Sequence, residues 1–288
     1  VYITTPVSSH FPITLSCIKN KINFFVEKPL TGSLEESERL CASLKQEHEI
    51  IHSVGYNRRF IPTFSRAKAL LDAKILGEPS YVKSSMYVSN ILSKPTGWRS
   101  KKSLSGGGVL LDLGAHVIDL LLWYLCPISS VSGQIKSLYS HEVEDFAHLD
   151  IEFRDGMKGE LDTSWSTEGY RVPELNIEII GSNGKMRVTE DLIELELKKQ
   201  ASQLNMHDKS SNSKNVTTMY KQELTEGVPI DVGGPEYTRE DLHVVECVFH
   251  KRQSLVNVFE AGKTQSVIQA MYDAARNGHG RKKVEYIG

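Results

Sequence analysis

The sequence predicts an α/β unit built on a parallel sheet, followed by an α+β domain with a large, mainly antiparallel open sheet. Three observations predict it. Apolar strands alternate with helical segments over the first sixty residues, which implies parallel pairing through crossover helices. From Tyr81 onward, period-two runs are separated by tight turns, the mark of antiparallel strands. Between them, Gly106–Tyr124 reads as a helix that is apolar nearly all round and therefore buried.

Taken in order, Val1–Thr4 reads as a strand and Pro12–Asn20 as a helix. Ile22–Val26 is a near-continuous apolar strand of the kind covered on both faces, ended by Glu27-Lys28-Pro29. Ser33 opens the next helix as N-cap, with Glu36 three residues on in a capping-box pattern, and that helix runs to about Gln46. Ile50–Val54 is the next strand. Phe60–Leu76 is a helix stopped by Gly77, with Pro79 beyond it. Tyr81–Ser89, Val131–Gln134, Phe146–Phe153, Lys158–Ser166, Leu175–Ile180, Lys185–Thr189 and Ile193–Leu197 read as strands of an antiparallel meander, with turns at Asp155-Gly156 and Asn183-Gly184. Gln200–Asn215 is rich in Ser, Asn and Lys and reads as a loop. Gly233-Gly234-Pro235 reads as a turn, Glu236–Lys251 and Ala261–Asn277 as amphipathic helices, and Lys283–Tyr286 as a last strand.

Composition narrows the function classes. The 288 residues carry a net charge of -2, which gives no electrostatic footprint for nucleic acid or an anionic membrane. The basic cluster Arg281-Lys282-Lys283 is short and reads as a solvated end. No uninterrupted apolar run approaches a membrane span of about 20 residues. Cys17, Cys41, Cys126 and Cys247 are scattered without Cys-x-x-Cys spacing, which suits reduced thiols in a cytoplasmic protein. His141-Glu142-Val143-Glu144-Asp145-Phe146-Ala147-His148 is not a metal motif, because strand alternation would send His141 and His148 to opposite faces. We therefore expect no metal. His243, His250 and His279 are isolated and read as surface residues.

Two stretches carry chemistry. In the apolar helix, Asp112, His116 and Asp119 stand at i, i+4 and i+7 and so share one face. Burying a carboxylate and an imidazole costs several kcal/mol unless they are paired or used. The seam is therefore either a site or a satisfied Asp–His pair that pins the helix. Glu27-Lys28-Pro29 closes a buried parallel strand, where open α/β sheets bind ligands. A partly desolvated lysine there suits proton shuttling or holding a hydroxyl.

These two stretches, together with the Thr5-Pro6…His10 turn, Gly55-Tyr56-Asn57-Arg58-Arg59-Phe60 and Trp98-Arg99, occur in the order and rough spacing of one family. From Val1 to about Asn277 the chain resembles the glucose–fructose oxidoreductase / inositol dehydrogenase / rhizopine-catabolism (Gfo/Idh/MocA) family. These are NAD(P)-dependent enzymes that act on sugars, cyclitols and nucleotide sugars. The resemblance implies a dinucleotide-binding (Rossmann) domain over 1–60 and a substrate-binding and oligomerisation domain over 61–288. It implies that Lys28 orients the substrate hydroxyl and the nicotinamide, that His116 takes the hydroxyl proton, and that Asp112 holds substrate. It places Thr5, Pro6, His10, Glu27, Lys28 and Asn57 against the nicotinamide half of NAD or NADP, Trp98 and Arg99 against the cofactor from the second domain, and Arg58 near substrate.

The expected function is oxidation or reduction of a secondary alcohol in a sugar, cyclitol or nucleotide sugar, with Tyr237–His243 leaning towards the nucleotide-sugar members. Two alternatives remain: a non-catalytic nucleotide-binding regulatory relative, and an NAD-dependent glycoside hydrolase on the same fold. Retention of Lys28, Asp112 and His116 together argues against the first. One departure stands out. The family's Gly-x-Gly-x-x-Gly turn, which holds a pyrophosphate on backbone amides, is absent, and Gly106-Gly107-Gly108 follows no strand. The expectation is therefore an N-terminally truncated Rossmann domain lacking roughly 60–75 residues, with Val1 opening the fourth strand. Such a chain is expected to bind dinucleotide poorly and to expose a sheet edge. A large open sheet commonly pairs with a second copy, so a homo-dimer or homo-tetramer is expected.

Overall fold

Short apolar strands seed the first layer of the molecule. The computed structural model describes residues 1–90, 97–198, 216–225, 235–276, 278 and 280–287. The predicted loop 200–215, Gly233-Gly234 of the predicted turn, and His279 lie outside them. In the first layer, β1 (Tyr2–Ile3), β2 (Phe24–Glu27) and β3 (His52–Gly55) form a parallel sheet in that order, with Ile3 opposite Val26 and Val26 opposite Val54. Helices α1 (His10–Lys19) and α2 (Leu34–Leu44) make the crossovers. Ser33 caps α2 as expected, its hydroxyl accepting from the Glu36 N–H at 3.3 Å.

Helix α3 (Pro62–Asp72) follows a short turn at Asn57–Phe60 and leads into the second layer through Gly77, whose φ of +67° suits glycine. A nine-stranded sheet then contains β4 (Pro79–Tyr87), β5 (Ile128–Lys136), β6 (Phe146–Phe153), β7 (Lys158–Ser164), β8 (Glu174–Gly181), β9 (Gly184–Thr189), β10 (Leu192–Leu197), β11 (Val216–Tyr220) and β12 (Lys282–Lys283). Its order is β11-β10-β9-β8-β4-β7-β6-β5-β12. This corrects the predicted meander. Strand β4 inserts between β7 and β8, parallel to the first and antiparallel to the second. Pattern alone assigns β4 to a strand, but its neighbours are set by tertiary packing. The closing strand is also shorter than predicted, only two residues beside β5.

One rod crosses the core. A short helix α4 (Lys102–Ser105) leads to a π-helical turn (Leu110–Gly114) and then α5 (Ala115–Tyr124). Val117, Ile118, Leu120 and Leu121 of α5 are wholly buried. At about 1.5–3 kcal/mol per fully buried apolar side chain, they offset the cost of the rod's polar groups. By length and composition Lys102–Tyr124 passes for a membrane span, contrary to the reading from uninterrupted runs. It is a core element, with 83% of its apolar window buried inside the fold. Helices α6 (Pro235–Phe249) and α7 (Val258–Arg276) complete the order. The C-terminal segment is tied to the first layer: the Val54 N–H donates to the Val256 carbonyl at 2.8 Å, and the Val258 N–H to His52 Nδ1 at 3.1 Å.

Candidate active site

The C-terminal ends of β1 and β2 face the glycine turn that opens the rod, and a cleft of ≈ 180 Å³ lies between them. Thr5, His10, Glu27, Lys28, Trp98, Arg99, Gly107, Gly108, Asp112 and Trp165 are among its lining. Three glycines let the turn come this close. A Cβ on Gly108 would stand 1.9 Å from the Glu144 carbonyl oxygen, and one on Gly106 2.6 Å from the Gly32 backbone. Gly106 also has φ +80°. The Glu144 carboxylate then holds the turn. Its Oε1 accepts from the Gly108 and Leu110 N–H groups at 3.0 and 3.1 Å and from the Tyr272 hydroxyl at 2.8 Å. A negative charge at the first turn of a helix is also favourable to the dipole.

Lys28 and Asp112 meet inside this cleft. Lys28 Nζ donates to Asp112 Oδ1 at 2.5 Å and to the Asp112 carbonyl at 3.1 Å. Trp165 Nε1 donates to the other carboxylate oxygen at 3.2 Å. Burial works to raise the Asp112 carboxyl, but the Lys28 ammonium, its hydrogen bond and the Arg99 charge outweigh it and hold the group below its ordinary value. An ammonium carries three donors, so one of Lys28's remains for a ligand.

The shared face predicted for Asp112, His116 and Asp119 is not what forms. The π turn holds more residues than an α turn, so i to i+4 spacing no longer stacks side chains. The Asp112 carboxylate goes to Lys28 and Trp165 rather than to the His116 ring. Asp119 turns away from the cleft and takes a two-pronged bond from Arg59, Nε to Oδ2 at 2.8 Å and Nη2 to Oδ1 at 2.7 Å. Both ends of that pair are buried, so it is structural. The reading as a pinned Asp–His pair is therefore replaced by two separate ion pairs with His116 between them. His116 is 7% exposed, stands edge-on to Tyr56 at 6.0 Å, and leaves Nδ1 without a partner. Burial, with the Lys28 and Arg58 charges, pushes its imidazolium well below the usual histidine range, so the ring is neutral near pH 7.

The other expected positions divide. Thr5, Glu27, Trp98 and Arg99 line the cleft, with the Arg99 guanidinium 4.7 Å from the Trp98 ring centre. His10 also lines it, but its ring nitrogens face the Pro29 and Thr5 carbonyls, each at 2.9 Å, so it braces the two chain segments. Pro6 is exposed and starts the Val7–Ser9 turn. Asn57 and Arg58 lie away from the cleft, near His116 and Tyr237; Asn57 meets the Tyr237 hydroxyl, and Arg58 reaches Glu190 at 3.1 Å. In the acidic stretch before β6, Glu144 anchors the glycine turn and Asp145 accepts the Leu138, Tyr139 and Ser140 N–H groups. Sequence reasoning missed Glu144 and Trp165. Neither belongs to a local motif, and the one available signal, for Glu144, was the acidic stretch Glu142–Asp145 leading into β6.

The fold and its parts match known proteins. The sequence model of an oxidoreductase family with an NAD-binding Rossmann fold matches residues 1–56, and that of the GFO/IDH/MocA C-terminal domain matches residues 64–187. The chain is 34% identical over 193 residues to scyllo-inositol 2-dehydrogenase (NAD(+)) of Bacillus subtilis (strain 168), which is 65% of this chain and 54% of that protein. It is 27% identical over 195 residues to D-xylose 1-dehydrogenase [NADP(+)] of Haloarcula marismortui, 65% of this chain and 52% of that protein. The chain thus spans about half the length of the curated relatives it matches. A solved levoglucosan dehydrogenase in complex with NADH superposes with TM-score 0.87 at 21% identity, covering all of this chain and 80% of that one, which shows the common fold. The two adjoining family models, and the Rossmann-type layer joined to a large mixed sheet, place this chain in the Gfo/Idh/MocA family of oxidoreductases.

Proposed function

We propose that the protein is an NAD(P)-dependent dehydrogenase acting on a secondary alcohol of a sugar or cyclitol. The observation that carries the reading is the Lys28–Asp112 pair inside a cleft formed by parallel strand ends, with the neutral ring of His116 buried close by. The cleft fits a nicotinamide ring: Thr5, Glu27 and Pro29 from one layer, and Trp98, Arg99 and Leu111 from the other, line it with both polar and apolar groups. When bound there, the nicotinamide would supply the hydride acceptor or donor. Residues 1–60 would serve the cofactor and 61–288 the substrate.

The chain's own groups supply the proton chemistry. Neutral His116 accepts the hydroxyl proton during oxidation and returns it during reduction. The free donor of Lys28 stabilises the alkoxide as charge develops on oxygen. Asp112 fixes Lys28 and keeps it aimed at the cleft. The His10 brace ties together the segments that follow the two strand ends, through the Pro29 and Thr5 carbonyls.

With polyols such as scyllo-inositol or D-xylose, which the relatives' names suggest, Lys28→Ala and His116→Ala are expected to lower kcat at least 10²-fold with the fold intact. The acid limb of kcat/KM is expected below pH 6.5, because His116 must be unprotonated and its pKa is lowered. Near-normal rates in both variants, judged beside their circular dichroism, would sink the assignment. The reading also carries a cytoplasmic location and a homo-dimer or homo-tetramer through the open face of the large sheet. It leaves no role for nucleic acid or membrane.

A further inference from the structure

A second cavity, larger than the cleft, lies behind the glycine turn, with a volume of ≈ 590 Å³. Small-molecule sites typically enclose about 300–1,000 Å³. Gln265, Gln269, Tyr272 and Arg276 stand at i, i+4, i+7 and i+11 on α7 and so turn one face towards it. Lys102, Glu142 and Glu144 line it from other elements. Gly107 borders both this cavity and the cleft, so a single turn of backbone stands between them. A Cβ on Gly107 would come 2.2 Å from the Tyr272 hydroxyl, so that turn rests against α7.

The polar groups of this cavity are sorted by kind. The Glu144 carboxylate takes its three donors, the Gly108 and Leu110 N–H groups and the Tyr272 hydroxyl, all on Oε1, and none of them on Oε2. Burial pushes its carboxyl above the ordinary glutamate value, so a donor supplied at Oε2 favours the charged form. Gln269 spends an amide N–H on Asp273 Oδ1 at 2.9 Å, which leaves its carbonyl oxygen as an acceptor. The cations are Lys102 and Arg276. Arg276 is loosely held, 3.9 Å from Asp273, and the exposed Glu142 accepts from the Lys102 backbone N–H at 3.2 Å. Acceptors short of donors, together with two cations, call for a ligand that donates at one end and is anionic at the other.

We propose that this cavity binds a small carboxylic acid that also carries a hydroxyl or ammonium group, and that its occupancy steadies the turn that sets Asp112. The donor group meets Glu144 Oε2 and the Gln269 carbonyl, and the carboxylate meets Lys102 and Arg276. A ligand that grips Oε2 restrains the same carboxylate whose Oε1 holds Gly108 and Leu110. Those residues lead straight into the stretch where Asp112 meets Lys28. The acid is an effector and is not consumed. Binding and the steadying of the turn stand by themselves; only their effect on turnover rests on the dehydrogenase reading above. By linkage, whatever factor the acid applies to a ligand in the cleft is returned to the acid.

The full chain is titrated by calorimetry with 2-hydroxy acids, sugar acids and amino acids, each beside its carboxamide. At least one acid is expected to bind with Kd of about 1 mM or tighter, and about 10-fold more tightly than its carboxamide. Lys102→Gln is expected to narrow that difference by weakening the acid and leaving the carboxamide unchanged. Ala275→Trp, which fills the cavity from α7, is expected to abolish binding while circular dichroism stays at wild type. Hydrogen exchange at the Gly108 and Leu110 amides is expected to slow about 5-fold or more at saturating acid. Absence of binding by every acid, or equal loss of acid and carboxamide in Lys102→Gln, overturns the inference. So does binding that survives Ala275→Trp, which would seat the acid in the cleft, or exchange left unchanged by binding. Failure of every polyol to reduce NAD or NADP, with the binding and exchange results intact, overturns the dehydrogenase reading and leaves the inference standing.

Discussion

At the residue scale, a second acid shows how strongly burial acts beside the site. Glu240 on α6 is 2% exposed and its Oε1 has no partner. Burial, with the neighbouring Glu27, Asp241 and Asp119 carboxylates, pushes its carboxyl from 4.5 up to about 9. It is therefore neutral in the fold at pH 7 and ionised in the unfolded chain. Between the two values the native state holds one more proton than the unfolded state, so stability falls as pH rises from 4.5 towards 9. One such group contributes a slope of up to about 1.4 kcal/mol per pH unit. Glu240→Gln is expected to flatten this decline, raising the urea midpoint at pH 8 while leaving it nearly unchanged at pH 4.5. Parallel pH curves for both proteins would show that Glu240 is not the group responsible. Lys28, Asp112 and His116 were legible in the sequence because each sits in a short motif. Glu190 and Trp165 were not, because their partners lie 132 and 53 residues away and only the folded sheet brings them in.

At the scale of the element, the rod through the core behaves differently at its two ends. Its first turn serves the cleft, and its last turns serve the frame through Asp119 and Arg59. Removing one partner of a buried, two-pronged pair leaves an uncompensated charge and typically costs about 3–5 kcal/mol. Asp119→Ala and Arg59→Ala are each expected to lose stability on that scale by urea unfolding, and replacement of both by apolar residues is expected to recover much of it. A loss below about 1 kcal/mol in either single variant would contradict the buried geometry. The sequence showed the Ser33 cap and most strands, because caps and period-two alternation are local. The π turn left no trace in the pattern, since its widening depends on what the rod packs against. Strand β11 also escaped notice, because Val216-Thr217-Thr218-Met219-Tyr220 has no alternation strong enough to mark it.

At the scale of the whole molecule, the outer face of the large sheet is laid with opposed charges. Lys83 meets Glu160 at 2.7 Å, Arg187 meets Glu194 at 2.7 Å, and Lys185 meets Glu196 at 3.2 Å. A second copy docking there would make polar contacts, and screening would weaken them. Light scattering across salt concentrations is expected to show a dimer or tetramer at low ionic strength that loosens near 1 M salt. A monomer at every concentration and ionic strength would remove the open sheet as a pairing face. The order of layers was legible from composition and periodicity, whereas the place of β4 between β7 and β8 was a matter of global topology.

The π turn has a genetic consequence. A widened turn is an ordinary helix carrying one surplus residue, absorbed on the spot so that the helix beyond keeps its phase. Loss of a single codon within Leu110–Gly114 would regularise the rod and still deliver Asp119 to Arg59. The product would keep the Asp119–Arg59 pair while presenting a different side chain to Lys28, and the buried Leu110, Leu111 and Leu113 would have to repack. A single codon in this stretch thus separates the frame of the rod, held at Asp119, from the groups it presents at Lys28.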